Sequence, residues 1–587
     1  MAKKAVTAKP FYKKTAEELA EDARKRARAK IFLKDPLVTK QTGLLNDYVV
    51  IGSDTSIREG PTSARFIVID YDATTDTVED PAVYREKIVD WNERKREALW
   101  EFEARPKTRQ AAQINAWATA VDTLQFFQQE QVLGREVGWA FDGSRLRILP
   151  HAAYEANAFY CRQTMALHFG YFRAKEDSKD EIRTSLSHDV VAHETSHAIL
   201  DGIRPNYLSS MDPDTLSFHE YIGDLGAMLS LFRNREGLAE MIRLGGNKKR
   251  FLDFISDLAP QVAEGLYGHA DRSFLRSARN RKTYDDVKDS NEIHLRSQVL
   301  SGFAFDLLNA IYNTDVKNKW ESLPLKGLTA NQKTLELLAR AARTVGCMLL
   351  APLDYLPPDS VSFHEYAAIV LALDMRAYPD DFYKYRQQME RLMVKRGIYP
   401  SEKERNRLLP GYALRRFERY LIERDIDMIR RSRVGAYRFM DANRKLFRIP
   451  ADKDFRIDGV ATNQRETGIL HKPPPLTFIQ YVWDEYLPVP KTSGNSSVDE
   501  LTVSLGGTLV IDDNVNIEFW VPPKRASRVR ARGRERIHRL MADGSIDMNP
   551  SPGLRSGRMF LMEGTEGGRV RPLLNTVCMH ADRMGKG

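Results

Sequence analysis

The sequence predicts a multidomain α+β protein, and three observations carry that expectation. The chain has 587 residues, 42% of them hydrophobic, enough for about three or four domains with substantial cores. Apolar residues recur at three- and four-residue spacing over 299–312 and 332–350, the period of packed helices. Runs rich in β-branched and aromatic residues at 48–52, 64–70, 476–481, 500–511 and 516–521 read as strands on either side of that helical centre.

Taken in order, residues 12–33 combine many charges with strong helix formers and predict a charged surface or docking helix. The strands at 48–52 and 64–70 follow, then a helix over 82–104 and another over 114–130. Residues 138–148 read as a hairpin, with Asp142-Gly143 as its turn signal. Beyond residue 400 a charged helix is expected over 415–439, followed by the three late strands. Asp512, Asp513 and Asn514 should turn the last two into a hairpin. From 543 onward Gly, Ser, Pro and Arg dominate, and a loosely structured tail is expected.

The chemistry centres on His193-Glu194-Thr195-Ser196-His197. Positions four apart lie on one helix face, so both imidazoles can reach one metal ion, with Glu194 beside it to take a proton from a bound water. With twelve histidines in the chain, chance yields this pattern in about one such chain in a hundred, so downstream residues must decide. A catalytic zinc takes three protein ligands and keeps a fourth position open. Glu220, twenty-three residues after His197 in Ser217-Phe218-His219-Glu220-Tyr221, supplies a carboxylate. Asp224, one turn later, can hold a ligand histidine from behind. Ser217 and Glu220 also fit a helix-capping box. The same five residue types recur at 362–366 without a nearby HExxH or an acid four after Glu365. That second copy reads as a helix start, and the first as both cap and ligand.

These residues resemble the thermolysin family of gluzincin metallopeptidases. The resemblance implies a two-lobed core, mixed α/β in the N-lobe and mainly helical in the C-lobe, and zinc-dependent endopeptidase activity with one Zn2+ per chain. It assigns His193, His197 and Glu220 as zinc ligands and Glu194 as general base. His294 becomes the second catalytic histidine, with Asp289 as its orienting carboxylate, and Tyr207 supports the oxyanion. Asn157 and Ala158, in Ala156-Asn157-Ala158-Phe159-Tyr160, would bind the substrate backbone from an edge strand. Arg276 would contact a substrate carbonyl, and Val190 would line an apolar pocket. The implied division is an N-terminal extension over 1–114, the N-lobe with its zinc helix over 115–225, the helical C-lobe over 226–399 and an α+β module over 400–587.

The departures are equally specific. Asp189 matches a position that helps bind a structural calcium pair in secreted relatives, but Leu231 stands where an acidic partner is expected and the following acidic segment is missing. No calcium pair is expected. The N-terminal residues lack the apolar core of a signal peptide, no run of eighteen apolar residues could span a membrane, and three scattered cysteines form neither a disulfide framework nor a metal cluster. A cytoplasmic location follows as an expectation. The net charge of +9 is concentrated at 524–539, a run without interleaved aromatics. It reads as a solvated segment or a contact for an acidic partner, with nucleic acid the least favoured reading. The expected partners are a peptide or protein substrate and a protein bound through 1–114 or 400–587. The alternative function is a latent or non-proteolytic zinc-containing assembly protein, whose zinc site is structural or whose cleft is capped by its own N-terminal segment, up to about residue 114.

Overall fold

The structure is a computed structural model. It describes residues 27–574 except 43–46, 52–55, 93–94, 106–107, 175–180, 246–253, 268–273, 319–326, 404–419, 465–474, 490–499, 543–545, 547–559 and 566–568. The fold is α+β. Part of the predicted N-terminal helix, 12–26, lies outside the described residues, and the remainder is not helical. Ala27–Ile31 is strand β1, antiparallel to β2 (Asp47–Ile51) and parallel to β7 (Lys95–Phe102). Ala27, Ala29 and Ile31 are buried, while Arg28 and Lys30 pair across the sheet with Glu101 (2.6 Å) and Glu103 (2.9 Å). The period of two in this stretch outweighs the helix propensity of its Ala, Arg and Lys.

The helix expected over 82–104 is likewise a β-hairpin, β6 (Tyr84–Asn92) against β7. Tyr84 stacks on Trp100 at 4.4 Å and meets Phe102 edge-on at 5.7 Å, cross-strand aromatic contacts that a charge-rich helical reading overlooks.

A second sheet is built mainly from strands of the central region. Strand β3 (Phe66–Val68) runs parallel to β8 (Leu146–Tyr154), which runs parallel to β10 (Ala166–Arg173). β9 (Ala158–Cys161) and β11 (Glu181–Arg183) pair antiparallel with β10. Thus a strand of the predicted N-terminal extension pairs with one of the predicted N-lobe. The expected hairpin at 138–148 is absent. Its first half folds over the sheet, with Trp139 edge-on to Phe66 and donating to the Ser144 carbonyl (3.1 Å), and only Leu146 onward joins a strand. Between β4 (Tyr71–Asp72) and β5 (Thr77–Val78) lies a short hairpin.

Helix α1 (Arg109–Gln128) starts earlier than expected because Thr108 caps it. Its Asn115 accepts the Phe32 N–H (2.9 Å) and donates to the Ser185 carbonyl (2.8 Å), tying the N-terminal sheet to the approach of the HExxH helix, α2 (His188–Ile203). Against α2 lies α3 (Pro213–Ser230), then α4 (Ile293–Lys317), α5 (Ala330–Leu350) and α6 (Phe363–Ala377). Two short strands, β12 (Asp257–Leu258) and β13 (Arg276–Ser277), form an antiparallel pair beside them.

The C-terminal module is a sheet of β14 (Phe455–Asn463), β15 (Leu476–Pro488), β16 (Glu500–Ile511), β19 (Arg569–Leu574) and β18 (Phe560–Thr565), with β17 (Ile517–Val521) also on β16. The expected β16–β17 hairpin forms. The tail departs from expectation, because β18 and β19 pair with each other and reach β16 through Val570. One face of this sheet, with Phe478, Leu501, Val510 and Phe519, joins the main core, which runs from Ala27 to Leu574. The other face packs on Ile426–Arg431 and Arg433–Ala442, two helices where one was expected. The basic run is helical, as α7 (Ala526–Ala542). Among the described residues, no helix is long and apolar enough to cross a membrane.

Candidate metal centre and active site

Helix α2 begins where Ser187 caps the Val190 N–H (3.5 Å) and Asp189 sits in the first turn, both favourable at a helix N-terminus. Asp189 is buried against the Lys34 ammonium at 2.8 Å and accepts the Ala259 N–H at 3.0 Å. The carboxylate that matched a calcium position is thus held by a cation from the N-terminal segment. Leu231 is fully buried in the main core.

Helix α3 starts at Pro213, capped by Asp212, so Ser217 is an interior residue. The capping role expected for Ser217 is not realised, whereas in the second copy Ser362 does cap α6 through the Glu365 N–H (3.2 Å). The two helices touch through glycines. A Cβ on Gly223 would come within 2.5 Å of the His193 ring, and one on Gly226 within 2.0 Å of Ser196 Oγ. This bare stripe lets His193 lie against α3 beside Glu220.

The result is a buried cluster. Potential ligand atoms of His193, His197 and Glu220 all lie within 4.8 Å of one another, and this is the one such metal-capable group among the described residues. His193 Nε2 is 3.6 Å from Glu220 Oε2, and His197 Nε2 is 3.4 Å from Glu220 Oε1. Two imidazole nitrogens and a carboxylate converging from two helices suit a zinc site with an open position. Each histidine is also held from behind: His193 Nδ1 faces Asp224 Oδ1 at 3.3 Å, and His197 Nδ1 faces His219 Nδ1 at 2.9 Å. Asp224 in turn accepts from Ser301 of α4 (2.9 Å). With Nε2 of His197 turned to the centre, its Nδ1–H donates to His219, which places the His219 proton on Nε2.

Glu194 is buried beside this centre and accepts the Tyr160 N–H of edge strand β9 at 3.0 Å. Burial pushes its carboxyl up to about 8; the His193 charge opposes the rise and the Glu220 charge adds to it. For Glu220 burial works the same way, but His294, His193 and His197 outweigh it and hold the carboxyl well below the usual range. Burial and Arg276 push His193 down, yet hydrogen bonds to Asp224 and Glu220 carry it up to about 9. One neighbouring carboxyl is thereby driven towards neutrality and the other towards permanent charge.

His294, in the first turn of α4, places Nε2 3.1 Å from Glu220 Oε2. Its Nδ1 faces Glu292 Oε1 at 3.0 Å, and Glu292 also caps α4. The orienting carboxylate is therefore Glu292, and Asp289, which is exposed, is not: as the residue immediately before the helix, Glu292 can fold its carboxylate back to the first turn. Arg276 of β13 is turned inward, donating to Glu220 Oε2 (2.8 Å) with its other nitrogen 3.3 Å from Asp224. Tyr207 is a correction. Its hydroxyl is fully buried and donates to the Pro357 carbonyl (2.9 Å), because the chain turns through a 3-10 segment at Tyr207–Ser209 towards the C-terminal sheet.

Ala158 opens edge strand β9, and Asn157 precedes it with its side-chain oxygen accepting the Ala158 N–H (2.9 Å). Val190 is half-buried beside Phe172, Ile182, Val262 and Leu275. Sequence reading missed Lys34, Tyr160, His219 and Glu292. Only His219 carried a usable signal, its position next to the candidate ligand Glu220. Comparison of the chain with protein-family models and with curated proteins gives no match.

Proposed function

We propose that the protein is a zinc-dependent endopeptidase of thermolysin type, with the β-rich lobe and the helical lobe meeting at α2. The observation that carries this reading is the convergence of Glu194 and His294 on the buried His193–His197–Glu220 cluster. A metal that was only structural would require neither. Zinc held by those three residues would supply Lewis acidity towards a scissile carbonyl and acidify a water.

The chain's own residues do the rest. Glu194 takes the proton of the attacking water and passes it to the leaving amine, from its buried position beside the cluster. His294, oriented through Nδ1 by Glu292, donates from Nε2 to the developing oxyanion, a contact worth about 3 to 4 kcal/mol in comparable sites. Asn157 and Ala158 on the edge strand would align the substrate backbone. Arg276 would serve the substrate carbonyl only after loosening its grip on Glu220. A cytoplasmic location belongs to the same proposal.

One observation favours a second reading, a latent enzyme or a non-proteolytic zinc protein. His193, Glu194, His197, Glu220 and His294 are each at most 4% exposed, and Arg276 already occupies Glu220. The test separates the readings. One zinc per chain is expected by elemental analysis, lost on His193→Ala or Glu220→Ala. Glu194→Gln should keep the zinc and lose peptide hydrolysis. Full hydrolysis by Glu194→Gln would overturn the mechanism, and zinc binding with no hydrolysis by the intact chain would favour latency.

A further inference from the structure

The basic run that the proposed chemistry does not use lines a large cavity. This cavity, about 1240 Å3, opens between α7, the C-terminal sheet and the N-terminal ends of α3 and α6. Eleven lysines and arginines line it against five aspartates and glutamates. Four of the acids are already matched by cations, and the fifth, Asp212, caps α3 through the Asp214 N–H (2.9 Å). Asp214 is gripped by Arg296 and by the Tyr284 hydroxyl (3.1 Å). Lys524 lies 3.5 Å from Asp359 and 3.6 Å from Glu365, and Glu535 lies 3.3 Å from Arg539. Among the described residues, Arg525, Arg528 and Arg532 form no ion pair, and all three are exposed on the cavity wall.

The positions of these arginines identify the ligand's shape. Spacings of three and four place Arg528 and Arg532 of α7, with Arg525 immediately before the helix, along one stripe that Glu535 and its partner Arg539 continue. From Arg525 to Arg539 the stripe runs about 21 Å at the rise of an α-helix. That length matches about six residues of extended peptide and exceeds what a single phosphate or carboxylate group could satisfy. The volume also exceeds the usual range for a small-molecule pocket. Tyr284 is the one Phe, Tyr or Trp on the wall, and its ring is already covered by Phe363, His364 and Arg296. Nucleobases would find no stacking platform there.

We propose that this cavity docks an extended acidic polypeptide segment, and that it acts as an exosite delivering acidic substrates to the HExxH centre. The cavity wall includes Asp212 and Asp214 at the start of α3, the helix that carries Glu220, and Arg296, two residues after His294 in the first turn of α4. Docking stands on the cavity alone; its use as an exosite rests on the peptidase reading.

The probe is a fluorescein-labelled octaglutamate peptide, followed by anisotropy on the full-length zinc-loaded chain. Binding should weaken steeply with added salt, and Arg525→Ala/Arg528→Ala/Arg532→Ala should weaken it by about tenfold or more. These side chains are exposed and without ion pairs, so an unchanged melting temperature should accompany the loss. No preference for octaglutamate over a Gly-Ser peptide, or equal binding by the triple variant, overturns docking. Tighter binding of tripolyphosphate or single-stranded oligothymidine, each run as a competitor, overturns the peptide assignment. In the second arm a cleavable peptide carries a glutamate tail. The tail should lower KM in wild type but not in the triple variant, with kcat unchanged. An unchanged KM overturns the exosite, whereas octaglutamate binding without hydrolysis of any peptide supports docking and counts against the peptidase reading alone.

Discussion

At the residue scale, Lys34 is the side chain whose role is least visible in sequence and most consequential in space. It and Asp189 are each 2% exposed, and removing one partner of a buried ion pair leaves a charge that costs about 3 to 5 kcal/mol. Lys34→Met should therefore lower the melting temperature sharply, and Lys34→Met/Asp189→Asn should recover most of the loss. A calcium-selective chelator should leave the wild-type melting temperature unchanged, because the ammonium already supplies the cation beside Asp189. Recovery absent in the double variant, or a clear shift on chelation, would count against this pairing. The residues legible in sequence, His193, His197, Glu220 and Asp224, were those whose relation is fixed by spacing along a helix. Lys34, Tyr160 and Glu292 reach their partners through folded geometry, and no spacing announces them. Tyr207 shows the reverse limit: a matching position was carried away by a turn and spent on Pro357.

At the scale of elements, the meeting of α2 and α3 sets the site. Gly223 has His193 ring atoms at 2.5 to 2.8 Å from where its Cβ would be, so Gly223→Ala must push the ring or separate the helices. Zinc affinity should fall by at least about tenfold with every ligand still present, measurable by competition with a chromophoric chelator. The strands behave differently. In β9 and β10, His168 pairs across from Phe159, stacks on it at 4.6 Å and bonds Thr164 Oγ1 at 2.8 Å. Burial lowers its imidazole from 6.5 to about 4. The folded chain thus stays neutral there while the unfolded chain takes up a proton below pH 6.5. Its contribution is complete above pH 6.5 and lost progressively down to about pH 4, at most about 3 kcal/mol. His168→Phe should flatten that part of the melting-temperature profile; an unchanged acid limb would remove His168 as its source. The misread elements, β1 and the β6–β7 hairpin, were rich in Arg, Lys, Glu and Ala, whose local preference is helical. Cross-strand partners such as Glu101 for Arg28 and Trp100 for Tyr84 decided otherwise.

At the scale of the whole molecule, sequence composition suggested separable parts, and the packing joins them. The main core includes Ala27, Ala29 and Ile31 at one end and Val570, Leu573 and Leu574 at the other. Hydrogen bonds cross the same boundary. Asn206 donates to Asp458 (2.6 Å), Gln480 to the Ile203 carbonyl at the end of the HExxH helix (3.1 Å) and Thr508 to the Leu356 carbonyl (2.6 Å). Tyr355 meets Phe478 and Phe519 edge-on at 5.0 and 5.4 Å. A fragment of residues 27–399 would expose Leu353, Tyr355 and Leu356 and strand the Ile203 carbonyl, so it should bind a hydrophobic dye and lack a cooperative melt. The full chain should melt this core as one unit, since neither end closes without the other. A fragment with its own sharp transition and wild-type zinc affinity would mean that the C-terminal sheet is an accessory rather than a wall of the same core. The loss expected instead would place the C-terminal sheet among the elements that hold α2, and with it His193 and His197, in position.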